Sequence, residues 1–393
     1  MAVNVASLLQ TLVQQKGSDL HIAANSPPMM RIRGDMLKVE MPPLTAGDVE
    51  AVVTQITSAA QKMELSEHKS VDFSFKASGV GIFRVNVFNQ RYGLSVVLRA
   101  LTEHPPTLED LKSPEICKTM CSFSNGLVLV TGPTGSGKST TLAAMLNFIN
   151  MTTRGHILTL EDPIEYQHES KMCMVNQRAM GTHFTSFASA MRAALREDPD
   201  VILVGEMRDP ETIALAIKAA ETGHLVFSTL HTNSAAKSID RIIGVFPADE
   251  QPQIRTVLSE TLRGIIAQKL VPSIDKKRRI CFHDILVNNP AVSNLIREGK
   301  TFQIPSTMQT GRQEGMQLMD RAILEAVERG EVNGEEAWEV ANDKSLFLKF
   351  APKKAMGAPG GGTAPAGGTP PGGAAAPGSA PGAAPAGGMK KAS

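Results

Sequence analysis

Residues 126–141 read GLVLVTGPTGSGKSTT. A short apolar run enters a glycine-rich turn and leaves it through Lys138, Ser139 and Thr140 into a helix-forming stretch. Gly132, Gly137, Lys138 and Ser139 fill the pattern G-x-x-x-x-G-K-[ST] in the order strand, turn, helix, which is the context that pattern needs to grip phosphate. The glycines let backbone N–H groups approach phosphate oxygens, and the helix N-terminus adds a favourable field. Lys138 neutralises the terminal phosphates, and the Ser139 hydroxyl is a ligand for Mg²⁺. The expected nucleotide contacts therefore run through Gly132, Pro133, Thr134, Gly135, Ser136, Gly137, Lys138, Ser139 and Thr140. The bland reading is a turn that merely connects strand to helix.

Phosphate binding alone hydrolyses nothing, because a water must be aimed at the γ-phosphorus and the metal must be held. Two acidic strand ends are placed to do this. In DPDVILVGEMRD (198–209) a hydrophobic strand ends at Glu206, and in HILTLEDPIEY (156–166) another ends at Glu161 and Asp162 before Pro163. Open α/β sheets bind ligands at the carboxyl ends of their strands. A solvated strand end with a helix cap is the competing reading for each. Glu206 is also the expected partner of Ser139 at the metal, directly or through water.

GHLVFSTLHTNSA (223–235) puts His224 at the beginning of a strand and His231 just past its end. His231 falls at the phosphate edge, where it can hydrogen-bond the γ-phosphate and report its loss to the following helix. His224 is either structural or a further part of the nucleotide site.

Outward from this core, short buried strands (GLVLV, HILTL, DVILVG, HLVFSTL) alternate with helical stretches (STTLAAMLNFIN, SFASAMRAALRE, PETIALAIKAAE, SAAKSIDRII), the signature of a sheet covered on both faces. QIRTVLSETLRGIIAQKL (253–270), AVSNLIREG (291–299) and MDRAILEAVERG (319–330) read as helices of an appended bundle.

Upstream, VASLLQTLVQQ and TAGDVEAVVTQITSAAQKMEL (45–65) have helical spacing, the second with Thr45 as N-cap. VDFSF, IFRVNVF and LSVVLR (71–99) alternate with period two, as in an antiparallel sheet with one solvated face. Arg84 and Arg99 fall on the less apolar face of that sheet, either as solvated charges or as donors to a nucleotide on a neighbouring subunit. The expected division is a domain over 1–100, a linker over 101–112 containing Pro105 and Pro106, an ATPase-like domain over 113–350, and a Gly/Ala/Pro-rich tail over 351–393 that lacks the apolar side chains to order itself.

The whole composition limits the partners. A net charge of +1 and 4% aromatic residues give no general case for a nucleic-acid translocase, although Lys276, Lys277, Arg278 and Arg279 form a local basic run. Apolar runs stop far short of the roughly 18 residues of a membrane span, and the N-terminus has no basic region before its apolar residues, so a cytoplasmic location is expected. Cys117, Cys121, Cys173 and Cys281 contain no C-x-x-C pair, which argues for reduced, mostly buried thiols rather than a disulfide framework or a zinc site.

TGPTGSGKSTT, ILTLEDPIEY, DPDVILVGEMRDPET and AAETGHLVFSTLHTNSAAKSIDR together closely resemble the secretion-type traffic ATPases, with SDLHI and FRVNVFNQR extending the likeness through roughly residues 1 to 345. Within that superfamily the chain is similar to the type IV pilus retraction (twitching motility) ATPases. AVSNLIREGKTFQIPSTMQTG resembles their Ala-Ile-Arg-Asn-Leu-Ile-Arg-Glu signature, with Val292 and Ser293 standing where it has Ile and the first Arg.

The resemblance implies a RecA-like P-loop core behind an N-terminal α+β PAS-like domain, assembled as a homohexamer that uses ATP and Mg²⁺. It makes Glu206 the Walker B glutamate and Glu161 the residue that positions or deprotonates the attacking water. Arg84 and Arg99 become the arginines that complete the site. It further implies the pilus machinery as partner, an inner-membrane platform protein as the membrane contact, and pilus disassembly as the work done.

Three rivals stand beside it. An extension or secretion ATPase usually carries a tetracysteine insertion where this chain has the short loop VPSIDKKRRICF (271–282). A retraction-accessory paralogue shares the four boxes. A nucleotide-dependent regulatory module would bind without appreciable turnover.

Overall fold

The N-terminal hundred residues build an antiparallel sheet whose buried face explains the period-two pattern. The computed structural model describes residues 3–32, 34–101 and 104–352. Strands β1 (Gly17–Ala23), β2 (Met29–Ile32), β3 (Asp35–Lys38), β4 (Ser70–Ala77), β5 (Gly81–Gln90) and β6 (Gly93–Ala100) pair in the order β3-β2-β1-β6-β5-β4. Phe83, Val85, Val87, Val96 and Leu98 are fully buried from β5 and β6, against Leu9 and Leu12 of the helix Val5–Gln14 and Val49 and Val52 of the helix Ala46–Ile56. Each such side chain contributes roughly 1.5–3 kcal/mol.

The stretch 45–65, expected as one helix, is two. Ala46–Ile56 ends at Thr57, and Ala59–His68 begins behind a second capping box, in which Ser58 and Gln61 satisfy each other's backbone N–H groups. That cap competes with helical continuation and wins. Strands β1 to β3 were not foreseen as strands.

The second sheet contains β7 (Gly126–Thr131), β8 (Gly155–Glu161), β9 (Cys173–Ala179), β10 (Val201–Val204), β11 (Leu225–Leu230), β12 (Leu262–Pro272) and β13 (Arg279–Val287). Their order is β13-β12-β7-β11-β10-β8-β9, parallel except for β13. Both faces are covered, as the continuous apolar runs require. Val128 and Val130 face the helix Lys138–Thr152 through Leu142, Met145 and Ile149, while Leu127 and Leu129 join the opposite core with Ile213, Ile217, Ile239 and Ile242.

Two readings of the sequence are corrected here. QIRTVLSETLRGIIAQKL is helical only as far as Thr261; Leu262 onward is strand β12, inserted between β7 and β13. Leu262, Ile265, Ile266 and Ala267 are completely buried there, and pairing on both sides satisfies a backbone that has no access to water. The expected loop 271–282 is a hairpin whose first two residues still belong to β12 and whose last four already belong to β13. Helices Pro290–Arg297, Ile304–Thr310, Met319–Glu328 and Gly334–Val340 follow.

The chain divides into two units, Met1–Phe350 and Ala351–Ser393. Of the second, only residues 351 and 352 are described, so the tail expected over 351–393 otherwise lies outside the described residues.

Candidate functional site

The strand order sets the chemistry, because β8, β10, β11 and β7 are successive neighbours and parallel. Their carboxyl ends carry Glu161, Glu206, His231 and the glycine-rich loop in that sequence along one sheet edge. Four of the residues expected to do chemistry, Glu161, Glu206, His231 and Lys138, are therefore brought to one place.

The loop itself is held by its own backbone and by β11. Gly132 N–H donates to the Leu230 carbonyl at 3.2 Å and Ser136 N–H to the Pro133 carbonyl at 3.2 Å. Gly137 caps the helix Lys138–Thr152 with φ 89°, a left-handed conformation in which a side chain is strained. Lys138 Nζ donates to the carbonyls of Gly132 at 2.9 Å and Pro133 at 3.1 Å. Desolvation holds its pKa below the ordinary lysine range, against the opposing fields of Glu206 and Glu165. Thr140 Oγ1 shares a 2.9 Å hydrogen bond with the Tyr166 hydroxyl, tying the first helical turn to the segment after β8.

Glu206 is ionised and engaged at both oxygens. Arg208 donates to Oε2 at 2.8 Å and His231 Nε2 lies 3.2 Å from Oε1. Partial desolvation pushes its pKa up, but the Arg208 hydrogen bond and the charges of His231 and Arg208 outweigh this and hold it below the ordinary value. The strand end is rigid, with Thr229 Oγ1 donating to the Gly205 carbonyl at 2.6 Å and Gly205 N–H to the Leu160 carbonyl at 2.7 Å.

Glu161 lives in a different environment. Burial is the largest influence and pushes its pKa up to about 7, while donors from Thr159 (2.7 Å) and Gln177 (3.0 Å), both on Oε1, pull the other way. Two carboxylates thus sit on neighbouring strand ends with opposite shifts, one a fixed anion and one able to exchange a proton near neutrality.

His224 is not at this edge. It immediately precedes β11, its Nδ1 3.0 Å from the Ala219 carbonyl, and its own carbonyl accepts from Gly126 N–H at the start of β7. The length of β11, about 20 Å, separates it from His231. Within one chain His224 therefore lies at the opposite end of β11 from the glycine-rich loop.

Arg84 and Arg99 project from the exposed face of the N-terminal sheet as direct cross-strand partners. Their ionic partners are Asp72 at 3.9 Å and Asp19 at 2.8 Å. Among the described residues, neither makes an ion pair with the phosphate edge.

A cavity of about 500 Å³ adjoins the loop, lined by Thr134, Ser136, Lys237, Lys269, Leu270 and Arg279 among others. Nothing in the sequence pointed to it, since β12 was not read as a strand. Among the described residues no group of three His, Cys, Asp or Glu side chains is disposed to hold a metal ion. The available donors near Lys138 are the hard oxygens of Ser139 and Glu206, a set that suits Mg²⁺ shared with phosphate oxygens rather than caged by protein.

Residues 2–343 match the family described as Type II/IV secretion system protein. The type IV pilus retraction ATPase PilT of Pseudomonas aeruginosa is 49% identical over 345 residues, 88% of this chain and 100% of the relative. A twitching motility protein of Neisseria gonorrhoeae is 50% identical over 337 residues, 86% of this chain and 90% of that one. A crystal structure of the pilus retraction motor PilT with bound ADP superposes with a TM-score of 0.84 at 44% identity, covering 88% of this chain and 99% of that chain. The α/β core is accordingly the RecA-like ATPase core, and the chain belongs to the type II/IV secretion system protein family, within it to the type IV pilus retraction ATPases.

Proposed function

We propose that this chain is an ATP-hydrolysing motor that withdraws type IV pili, working as a homohexamer in the cytoplasm at the pilus base. The observation that carries the catalytic part is the succession Glu161, Glu206, His231 and Lys138 along one sheet edge. In this reading the backbone from Gly132 to Thr140 and the Lys138 ammonium bind the phosphates. The neighbouring cavity receives the base and ribose. Ser139 and Glu206 hold Mg²⁺, which supplies charge neutralisation at the phosphoryl oxygens when bound.

Glu161 orients the attacking water and takes its proton as the γ-phosphorus–bridging-oxygen bond breaks. His231 senses the terminal phosphate. Arg84 and Arg99 complete a neighbouring subunit's site, and a hinge near Pro105 and Pro106, between domains 1–100 and 113–350, absorbs the opening and closing.

Among the described residues no helix is long and apolar enough to cross a membrane. Force accordingly reaches the pilus through an inner-membrane platform protein. The likeness to retraction and twitching proteins supports this direction of work over extension.

Phosphate release by the purified chain, set beside Lys138→Ala and Glu206→Gln, tests the motor. Mg²⁺-dependent turnover that both substitutions abolish is expected; turnover no greater than theirs, alone or with the platform partner, refutes it. Deleting the gene tests the direction: cells that keep pili but cannot withdraw them indicate retraction, and bald cells indicate extension.

A further inference from the structure

Gln268 packs behind the glycine-rich loop, and it comes from β12, a strand with no sequence motif. β12 pairs with β7 up to Ala267 opposite Thr131, so Gln268 stands beside the point where β7 becomes the glycine-rich loop. It is 1% exposed, and its Nε2 donates to the Ser136 carbonyl at 2.7 Å. A Cβ on Gly132 would lie 2.4 Å from the Gln268 carbonyl oxygen and 2.5 Å from Ser136 Oγ, and one on Gly137 would lie 3.1 Å from Gln268 Nε2. The loop therefore rests against both the main chain and the side chain of Gln268, and two of its glycines are glycines partly for that reason.

The direction of that hydrogen bond matters. In a planar trans peptide the carbonyl and the following N–H point opposite ways. Fixing the Ser136 carbonyl on Gln268 turns the Gly137 N–H away from β12, toward the side open to phosphate. Gln268 Oε1 and Ser136 Oγ are buried with no hydrogen-bond partner among the described residues, so among those residues this amide side chain bonds to the loop alone.

We infer that Gln268 is a positioning residue for phosphate binding, setting the Ser136–Gly137 peptide so that its N–H meets the nucleotide. The inference rests on the loop being the nucleotide site. Without the amide donor that peptide is free to rotate, and bound phosphate must then select the productive orientation at a cost in affinity.

The test uses the full chain with ADP and MgATP as probes. Gln268→Met keeps the length and loses the donor. The Kd for ADP and the KM for ATP are expected to rise about ten- to hundredfold, with kcat at saturating ATP changing far less, because a filled site restores the orientation. Gln268→Glu places a carboxylate against the Ser136 carbonyl. Its Kd relative to the parent's is expected to recover as pH falls and the acid gains a proton to donate, which a purely structural defect does not predict.

Parent-like ADP binding by Gln268→Met overturns the inference, as does a loss of kcat at unchanged KM. If Gln268→Met does not fold, a pH-independent affinity ratio for Gln268→Glu overturns it equally. Lys138→Ala separates the underlying reading: if it binds ADP as the parent does, the loop is not the nucleotide site, whereas binding lost in Lys138→Ala but kept in Gln268→Met removes only the role of Gln268.

Discussion

His231 Nε2 lies 3.2 Å from Glu206 Oε1, joining the ends of the adjacent parallel strands β11 and β10. The next residue, Thr232, shares a 2.6 Å hydrogen bond with Ser238 of the following helix, and Ser238 Oγ reaches Thr131 Oγ1 at 3.3 Å at the end of β7. A change at the Glu206 carboxylate therefore has a short polar route to the helix Ala235–Ile243. His231→Ala should lower turnover by about ten- to hundredfold while leaving the ADP Kd within about threefold. Steady-state phosphate release beside ADP titration checks this, and an equal loss of binding would assign His231 to nucleotide affinity instead.

If Glu161 takes the proton of the attacking water, turnover depends on pH. Its ordinary value is 4.5 and burial pushes it to about 7, so as a base it is competent only when deprotonated. The rate should rise as pH increases through about 7. Gln177→Leu removes a donor that favours the anion and should move that limb higher.

Stability runs the opposite way. A group whose folded pKa is raised contributes its full share below the unfolded value of 4.5 and loses it as pH climbs through 7. Glu161→Gln should therefore be inactive yet more stable than the parent at pH 8, by about 1 to 3 kcal/mol. A flat pH–rate profile between 6 and 8 would remove Glu161 from the role of base.

The strands carrying this site were legible because each is a continuous apolar run closed by an acid, a histidine or a glycine, and parallel strands buried on both faces leave that trace. β12 was not, since Leu262, Ile265, Ile266 and Leu270 recur at intervals that also suit a helix. β9 hid for another reason: it is an edge strand with polar residues along it and Met174 half exposed. Gln177 and Gln268 belong to no motif, and their meaning comes from partners 16 and 132 residues away. The two histidines of GHLVFSTLHTNSA were legible where they lie, because the six residues of β11 between them carry His224 and His231 to opposite ends of one strand.

Arg84 and Arg99 face each other directly across β5 and β6, a like-charge pairing that is unfavourable by itself. Asp19, 4% exposed, offsets it by holding Arg99 at 2.8 Å, with Arg31 at 3.8 Å on its other side. If these arginines serve a neighbouring subunit, Arg84→Ala should bind ADP within about threefold of the parent and lose about tenfold or more of its turnover. Mixing it with Glu206→Gln should restore activity, because some interfaces then combine an intact arginine with an intact glutamate. No recovery on mixing, together with weakened binding, would place Arg84 in its own subunit's site.

Asp284 connects the helix that follows β11 to the C-terminal helices. Its Oδ2 accepts from Ala235 N–H at 2.9 Å and its Oδ1 from Met319 N–H at 3.2 Å, so one carboxylate serves the first turns of two helices. It is 5% exposed; burial pushes its pKa up, and the two N–H donors oppose the shift. Asp284→Ala leaves both donors buried and unpaired and should cost about 2 to 4 kcal/mol. Asp284→Asn keeps one acceptor oxygen and should cost roughly half as much. The shift of the urea midpoint measures both. If the alanine variant is within about 0.5 kcal/mol of the parent, a typical surface-substitution effect, then the helices Ala235–Ile243 and Met319–Glu328 are held by packing alone and Asp284 does not link them.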